Sequence, residues 1–162
     1  MNLETRWRNA SGEYLPLKHI IDLINLAMIE DDNHQVTIGV DSQPKSNYSI
    51  IVKVIAVIFN DKRHYYWVRS RTSNIPNDLR SRMLEECNIS INLATMLTNR
   101  FVDPPNLSIH LDVNTSDSKA ATSKFSSMLE NIVRAYGFDD VEVKPNSWAA
   151  SSVADKYTKV KQ

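Results

Sequence analysis

The chain has 162 residues, 42% of them hydrophobic, and its 19 basic and 19 acidic side chains give a formal net charge of +0. This length predicts a single domain, residues 1–162, with its own core, and the balanced charge excludes a general attraction to nucleic acid. Three glycines are too few for a P-loop or a dinucleotide fingerprint, and one cysteine excludes an internal disulfide and a thiolate zinc site. No apolar run reaches the roughly 18 residues of a membrane span, so we expect a soluble, cytoplasmic protein without a membrane partner.

The first half of the chain predicts one helix and then three strands. Residues 17–32 place apolar side chains at helical spacing after a polar opening, so residues 1–35 read as an N-terminal extension with one helix. The segment VTIGVDSQ, residues 36–43, is apolar on both faces, as in a central strand covered on two sides. Residues 48–71 are rich in β-branched and aromatic side chains around Asn60-Asp61, which predicts an antiparallel hairpin.

The second half of the chain alternates predicted helices and strands. A long helix follows the start signals Asn74, Pro76, Asn77 and Asp78, and the strand LSIHLDVN covers residues 107–114. Residues 115–138 predict an N-capped helix closed by Gly137, VEVKPN is a short strand, and the last helix starts at a cap, Asn146 or Ser147. The order of elements predicts a mixed α/β layer with a hairpin at one edge.

Two of the predicted strands each end on an aspartate. Asp41 ends the first strand and Asp112 ends the fourth, and ligands of open α/β sheets collect at the carboxyl ends of strands. Two neighbouring carboxylates repel each other unless a cation lies between them, and hard oxygen donors suit Mg²⁺ or Mn²⁺. The pair therefore predicts a divalent metal site, whereas either aspartate alone could simply cap a helix or a turn.

Two further carboxylates are predicted to reach the same place. Glu86 lies on the packed stripe of the long helix, although a shift of one residue in register would exchange it with Glu85. Asp155 lies among small residues of the last helix, which permits a close approach to the sheet. Four carboxylates at one point would fit two-metal phosphoryl chemistry, in which one ion generates hydroxide and the other stabilises the leaving oxygen.

Several motifs together resemble a known family. IGVDSQ, the hairpin, LEECNISINLA, IHLDVN and KPNSWAASSVADKYTK are similar to the predicted ribonuclease H-like nucleases typified by the bacterial YkuK protein. The resemblance implies a ribonuclease H-like fold, with a mixed five-stranded sheet of order 3-2-1-4-5 in which strand 2 is antiparallel. It implies a nuclease that acts on RNA, an RNA/DNA hybrid or DNA and that has a two-ion Mg²⁺ or Mn²⁺ site. It assigns the catalytic and metal-binding roles to Asp41, Glu86, Asp112 and Asp155.

The remaining candidates would contact the substrate. Ser42 and Gln43 could hydrogen-bond a metal-bound water or a phosphate, or serve only the turn before Pro44. Lys144 and Lys156 are candidate phosphate ligands. Arg69 and Arg71, near Tyr65, Tyr66 and Trp67, could contact phosphates and bases or form a solvated edge strand. The alternative function is a non-catalytic ribonuclease H-like module for nucleic-acid binding or assembly, and a carboxylate-based glycosidase is a more distant one.

Overall fold

The structure, a computed structural model, describes residues 6–73, 75–114 and 119–159. Its strands are β1 (Arg6–Asn9), β2 (Tyr14–Pro16), β3 (Gln35–Pro44), β4 (Ser49–Phe59), β5 (Lys62–Thr72), β6 (Leu107–Asn114) and β7 (Val141–Lys144). Its α-helices are α1 (Leu17–Glu30), α2 (Leu79–Thr98), α3 (Ser126–Ala135) and α4 (Asp155–Lys159). A 3₁₀ turn (Ser123–Phe125) precedes α3, and a π-helical segment (Ala149–Ala154) leads directly into α4. None of the described helices is long and apolar enough to cross a membrane.

The described strands form one sheet of order β2-β1-β5-β4-β3-β6-β7. Its central five strands have the predicted order 3-2-1-4-5, and the second of them, β4, is antiparallel to β3 as predicted. The prediction of five strands is wrong, because β1 and β2 add a hairpin at the β5 edge. These strands have only four and three residues, too few to show alternation in the sequence.

The predicted hairpin between β4 and β5 is confirmed. The two strands pair in continuous register from Ser49↔Thr72 to Phe59↔Lys62. Asn60 and Asp61 have φ values of 49° and 60°, the left-handed conformation that a two-residue hairpin turn requires. Asparagine and aspartate tolerate this conformation better than other non-glycine residues, which is why this dipeptide marks the turn.

Helices cover the two faces of the sheet unequally. The main core lies between the sheet and α1, α2 and α3, and includes Trp7, Ile24, Ile55, Leu97 and Leu129. On the other face, the π segment and α4 cover a smaller cluster. Its members are Ile50, Val52, Val54 and Ala154, with Tyr48, Trp67, Val153 and Tyr157 packed around them.

The π segment crosses the central strand at Gly39. A Cβ atom on Gly39 would lie 2.4 Å from the carbonyl carbon of Ala149 and 2.5 Å from the backbone nitrogen of Ala150. No side chain fits such distances, so glycine is required here for close backbone approach. This contact brings the C-terminal helix down onto β3.

The helix boundaries agree with the predictions only in part. For α2, Asp78 caps as predicted by accepting a hydrogen bond from the backbone N–H of Ser81, 2.9 Å away, while the start signal at Asn74 lies outside the described residues. The predicted start of the third helix at residues 115–118 also lies outside them, and α3 proper begins only at Ser126, after the 3₁₀ turn. Gly137 ends that helix as predicted, with φ of 93°.

The predicted side-chain cap of the last helix is wrong. The helix follows Trp148, whose side chain makes no capping hydrogen bond. The hydroxyl of Ser147 is buried without a hydrogen-bond partner, while its carbonyl accepts hydrogen bonds from Ala150 and Ser151. Packing of small residues against Gly39 positions this helix start in place of a cap.

Candidate functional site

Asp41 and Asp112 lie at the carboxyl ends of two adjacent parallel strands. β3 and β6 pair from Val36↔Leu107 to Gly39↔His110, and each aspartate lies two residues beyond the last pair. Side chains alternate along a strand, so both aspartates share the face of Gly39, which the π segment covers. The predicted neighbourhood of the two aspartates is therefore confirmed by the strand register.

Glu86 reaches the same end of β3 from α2. It belongs to the buried stripe that includes Met83, Cys87 and Ser90, and it is only 5% exposed. The backbone N–H of Ser42 donates to Glu86 Oε1 at 3.1 Å, and the Ser42 hydroxyl donates to the same oxygen at 2.5 Å. Glu85 is half-buried and off the stripe, so the structure places Glu86, and not Glu85, at the site.

The two buried carboxyl groups resist ionisation. The pKa of Asp41 is raised to about 6, mainly by burial and to a smaller extent by the nearby carboxylates of Asp112 and Asp155, against the opposing effect of the Thr158 hydrogen bond. Burial raises the pKa of Glu86 to about 8, with added repulsion from Asp41 and Asp112. Asp41 is therefore within electrostatic reach of each of the other three carboxyl groups.

Asp112 and Asp155 are each held by a lysine. Lys144 Nζ on β7 lies 2.8 Å from Asp112 Oδ1 and forms an ion pair with it. The geometry of this contact is not that of a hydrogen bond, and Asp112 Oδ1 is buried without any hydrogen-bond partner among the described residues. Lys159 Nζ lies 2.7 Å from Asp155 Oδ2, one turn along α4. Both ion pairs are partly exposed, so water and salt weaken them.

Thr158 links α4 to Asp41. Its hydroxyl Oγ1 lies 2.8 Å from Asp41 Oδ2 and 2.8 Å from the carbonyl oxygen of Asp155. A hydroxyl has one proton, so it donates to one of these oxygens at a time. When Asp41 is protonated, the two oxygens no longer compete for the Thr158 proton. The Asp41 carboxylic acid can then donate to the Thr158 hydroxyl oxygen while that hydroxyl donates to the Asp155 carbonyl oxygen.

The four predicted ligands thus lie at one end of the sheet without meeting at a point. Among residues 6–73, 75–114 and 119–159, no three His, Cys, Asp or Glu side chains are grouped so that they could hold a metal ion. The four carboxylates therefore do not converge in this arrangement, and their role as metal ligands stays a prediction. The physical reason is local competition, because Ser42, Thr158, Lys144 and Lys159 each engage one carboxylate.

The predicted substrate contacts occupy different surroundings. Ser42 is buried and its hydroxyl is committed to Glu86, so it positions a carboxylate and does not project freely. Gln43 is half-buried, and its Oε1 has no hydrogen-bond partner among the described residues. Lys144 lies beside Asp112, whereas Lys156 is exposed with Nζ 5.3 Å from the centre of the Tyr157 ring.

Two contacts of the site were not predicted from the sequence: the hydrogen bond of Thr158 to Asp41, and the ion pair of Lys159, a candidate phosphate contact in the sequence, with Asp155. Their only sequence signal is the position of Thr158 and Lys159 three and four residues after Asp155, on the same side of a helix. His110 is a structural neighbour: its Nδ1 accepts a hydrogen bond from the backbone N–H of Ala149 at 3.2 Å. Burial lowers the pKa of His110 to about 4, so this histidine is neutral and holds the start of the π segment.

Comparison with known proteins agrees with this architecture. The family model described as ribonuclease H-like matches residues 18–159, which is most of the chain. A search of curated proteins gave no match. The matched range contains all four carboxylates and leaves the β1–β2 hairpin outside.

Proposed function

The chain belongs to the ribonuclease H-like family, and on that premise we propose that it is a metal-dependent nuclease that hydrolyses phosphodiester bonds of nucleic acid. The observation that carries the proposal is the pair of buried carboxyl groups, Asp41 and Glu86, linked through Ser42 at the end of the central strand. Burying two acids within electrostatic reach of each other costs stability. Buried carboxyl groups that lower stability are candidates for catalytic or metal-binding residues, and raised carboxyl pKa values are typical of active sites.

The donor chemistry fits a hard divalent cation. All four side chains offer carboxylate oxygens, which Mg²⁺ and Mn²⁺ prefer. Burial is the main cause of the raised pKa values of Asp41 and Glu86 and repulsion a smaller one, and a bound cation would offset both. We propose that Asp41, Glu86, Asp112 and Asp155 hold two such ions. Asp112 and Asp155 must then give up part of their contacts with Lys144 and Lys159.

The chain's own residues would prepare the reaction by position and charge. Bound metal would polarise the scissile phosphate and make water acidic enough to attack it. Ser42 fixes Glu86 through Oε1, and neither of these hydrogen bonds uses Oε2. Thr158 fixes Asp41 through Oδ2, and Lys144, once displaced from Asp112, is placed to contact a phosphate oxygen.

The motifs that resemble YkuK-type nucleases support this assignment. IGVDSQ contains both Asp41 and Ser42, and KPNSWAASSVADKYTK contains Lys144, Asp155 and Thr158. The two segments that are most similar to that family therefore supply most of the contacts at the site.

A non-catalytic module is the second candidate. The observation that favours it is that Lys144 and Lys159 already neutralise Asp112 and Asp155. Such a protein would bind nucleic acid or a partner on the same fold and would not respond to divalent metal at this site.

Cleavage assays with labelled RNA, RNA/DNA hybrid, DNA and branched junctions would separate the two candidates. We expect at least one of these substrates to be cleaved with Mg²⁺ or Mn²⁺, and Asp41→Asn to lose the activity. A site that binds metal only in the folded state also stabilises it, by about 2.7 kcal/mol at a metal concentration 100 times Kd. If no substrate is cut and Mn²⁺ leaves the melting temperature unchanged, the non-catalytic module is the better account.

A further inference from the structure

One face of the sheet carries a band of basic and aromatic side chains outside the carboxylate site. We call it the basic face and define it by Arg8, Arg63, Tyr65, Trp67, Arg69 and Lys156. Alternate residues of β5 point the same way, and the pairs Val54↔Trp67 and Val52↔Arg69 place them on the side of the α4 cluster. Arg8 pairs with Trp67 and so shares that side.

The cations of the basic face lie outside the main core. The intervening residues of the same strands, Trp7 and Tyr66, are buried on the opposite face in the main core with α1. On the basic face, Arg63 and Lys156 are exposed, and Arg8 and Arg69 are half-buried.

Aromatic rings, and not acids, hold several of these cations. Arg8 Cζ lies 4.3 Å from the centre of the Tyr14 ring and 5.3 Å from that of Trp67. Arg63 Cζ lies 4.8 Å from the centre of the Trp148 ring. The ion pairs found among the described residues are Lys18–Asp22, Arg134–Glu130, Lys144–Asp112 and Lys159–Asp155, none of which involves the basic face. A cation–π contact orients a guanidinium group but leaves its positive charge uncompensated.

The basic face adjoins the carboxylate site. Asp41 pairs with Val52 and Val52 pairs with Arg69, so these three residues lie in register on successive strands. With strands about 4.8 Å apart, the backbones at Asp41 and Arg69 are about 10 Å apart. Lys156 directly follows Asp155 on α4, and the next residue, Tyr157, packs against the cluster that contains Val52.

We propose that the basic face binds the sugar-phosphate backbone of the nucleic acid and leads it to the carboxylate site. The proposal rests on the proposed function for the identity of the ligand. Arg63 and Arg69 lie six residues, or about 20 Å, apart along β5, and Arg8 lies beside Trp67 between them. Guanidinium groups suit phosphate oxygens, which they can bind through two N–H groups each. Because the chain is neutral overall, this attraction is local.

The occupied aromatic rings favour phosphate contacts over base stacking. Trp67 stacks on Tyr157 with ring centres 4.1 Å apart, and Arg8 lies over Trp67 as well. The rings therefore serve as supports for cations, and binding through this face should be independent of base sequence. Arg8 and Tyr14 belong to the β1–β2 hairpin, which lies outside the range that the family model matches.

Fluorescence anisotropy with a short labelled single strand and with the corresponding duplex tests the proposal. The titrations contain EDTA to prevent cleavage, and they compare wild type with the double variant Arg8→Gln/Arg69→Gln over a range of salt concentrations. Each lost phosphate contact lowers the slope of log K against log[salt] by about 0.7 for a single strand and about 0.9 for a duplex. We expect the double variant to bind more weakly at every salt concentration, with a slope smaller by about 1.4 or 1.8, respectively.

Two matched variants control for charge and folding. Lys18→Gln/Arg100→Gln removes the same charge from exposed positions elsewhere and should bind like wild type. Arg8→Lys/Arg69→Lys keeps the charge and should retain most of the salt slope. If Arg8→Gln/Arg69→Gln binds like wild type, or if Lys18→Gln/Arg100→Gln loses as much affinity, the basic face is not the binding surface. If the protein binds nucleic acid through the basic face but cleaves none, only the proposed nuclease activity is refuted. If it cleaves nucleic acid and Arg8→Gln/Arg69→Gln leaves binding unchanged, only the proposed role of the basic face is refuted.

Discussion

Replacing Glu86 with glutamine should stabilise the protein while abolishing its proposed activity. The amide oxygen of glutamine can still accept the two Ser42 hydrogen bonds, so Glu86→Gln removes the acid and preserves the packing. The native side chain is buried, and its pKa is raised from an ordinary 4.5 to about 8. The variant should not have the stability cost that this raised pKa represents.

The pKa of Glu86 sets the size and direction of the effect. Between pH 4.5 and about 8 the folded protein keeps the Glu86 proton while the unfolded chain releases it, so stability falls as pH rises. At about 1.36 kcal/mol per pH unit, the loss from Glu86 at pH 7 is about 3 kcal/mol relative to acid conditions. For a chain of this size, that corresponds to a melting temperature about 6–12 °C higher for Glu86→Gln at pH 7.

Thermal unfolding in EDTA from pH 5 to pH 8 measures this difference. The melting temperature of wild type should fall as pH rises from 5 to 8, and that of Glu86→Gln should fall less. The difference in melting temperature between the two proteins should therefore increase with pH. Glu85→Gln, one residue away and half-buried, is the matched control and should follow wild type. If the difference in melting temperature stays constant with pH, or if Glu85→Gln behaves like Glu86→Gln, then Glu86 is not a buried acid with a raised pKa.

Three further predictions concern the supports of the site. Gly39→Ala should destabilise the protein by about 1–3 kcal/mol or more in urea unfolding, because its Cβ would clash with the backbone of the π segment; unchanged stability would contradict that close approach. Thr158→Val removes the donor to Asp41 and should move the acid limb of the pH–rate profile to higher pH; an unmoved limb would show that Asp41 does not control it. Lys144→Gln should lower the Mn²⁺ concentration needed for half-maximal stabilisation, because it frees Asp112, and should raise KM; weaker Mn²⁺ binding would contradict competition between lysine and metal.

The sequence was sufficient to predict the central fold. β-branched runs, the Asn60-Asp61 turn and helix signals such as Asp78 are local features, and each produced the expected element. The buried stripe of α2 also placed Glu86 correctly, because helical period decides which side chains face the sheet.

What the sequence did not predict depends on distant partners. The ion pair of Asp112 with Lys144 joins two strands, and the hydrogen bond of Thr158 to Asp41 spans 117 residues. The π segment follows from the close approach to Gly39, which the sequence shows only as a lone glycine in a strand. The β1–β2 hairpin is too short for a periodic signal, although it completes the basic face.

Metal-dependent cleavage by wild type and by Asp41→Asn tests the central claim most directly. Asparagine keeps the size of Asp41 and can still accept the Thr158 hydrogen bond, so the change removes little except the carboxylate charge. We predict that wild type cleaves a nucleic acid with Mg²⁺ or Mn²⁺, and that Asp41→Asn still binds it but does not cut it. Equal cleavage by the two proteins, with equal stabilisation by Mn²⁺, would contradict the assignment of this carboxylate site.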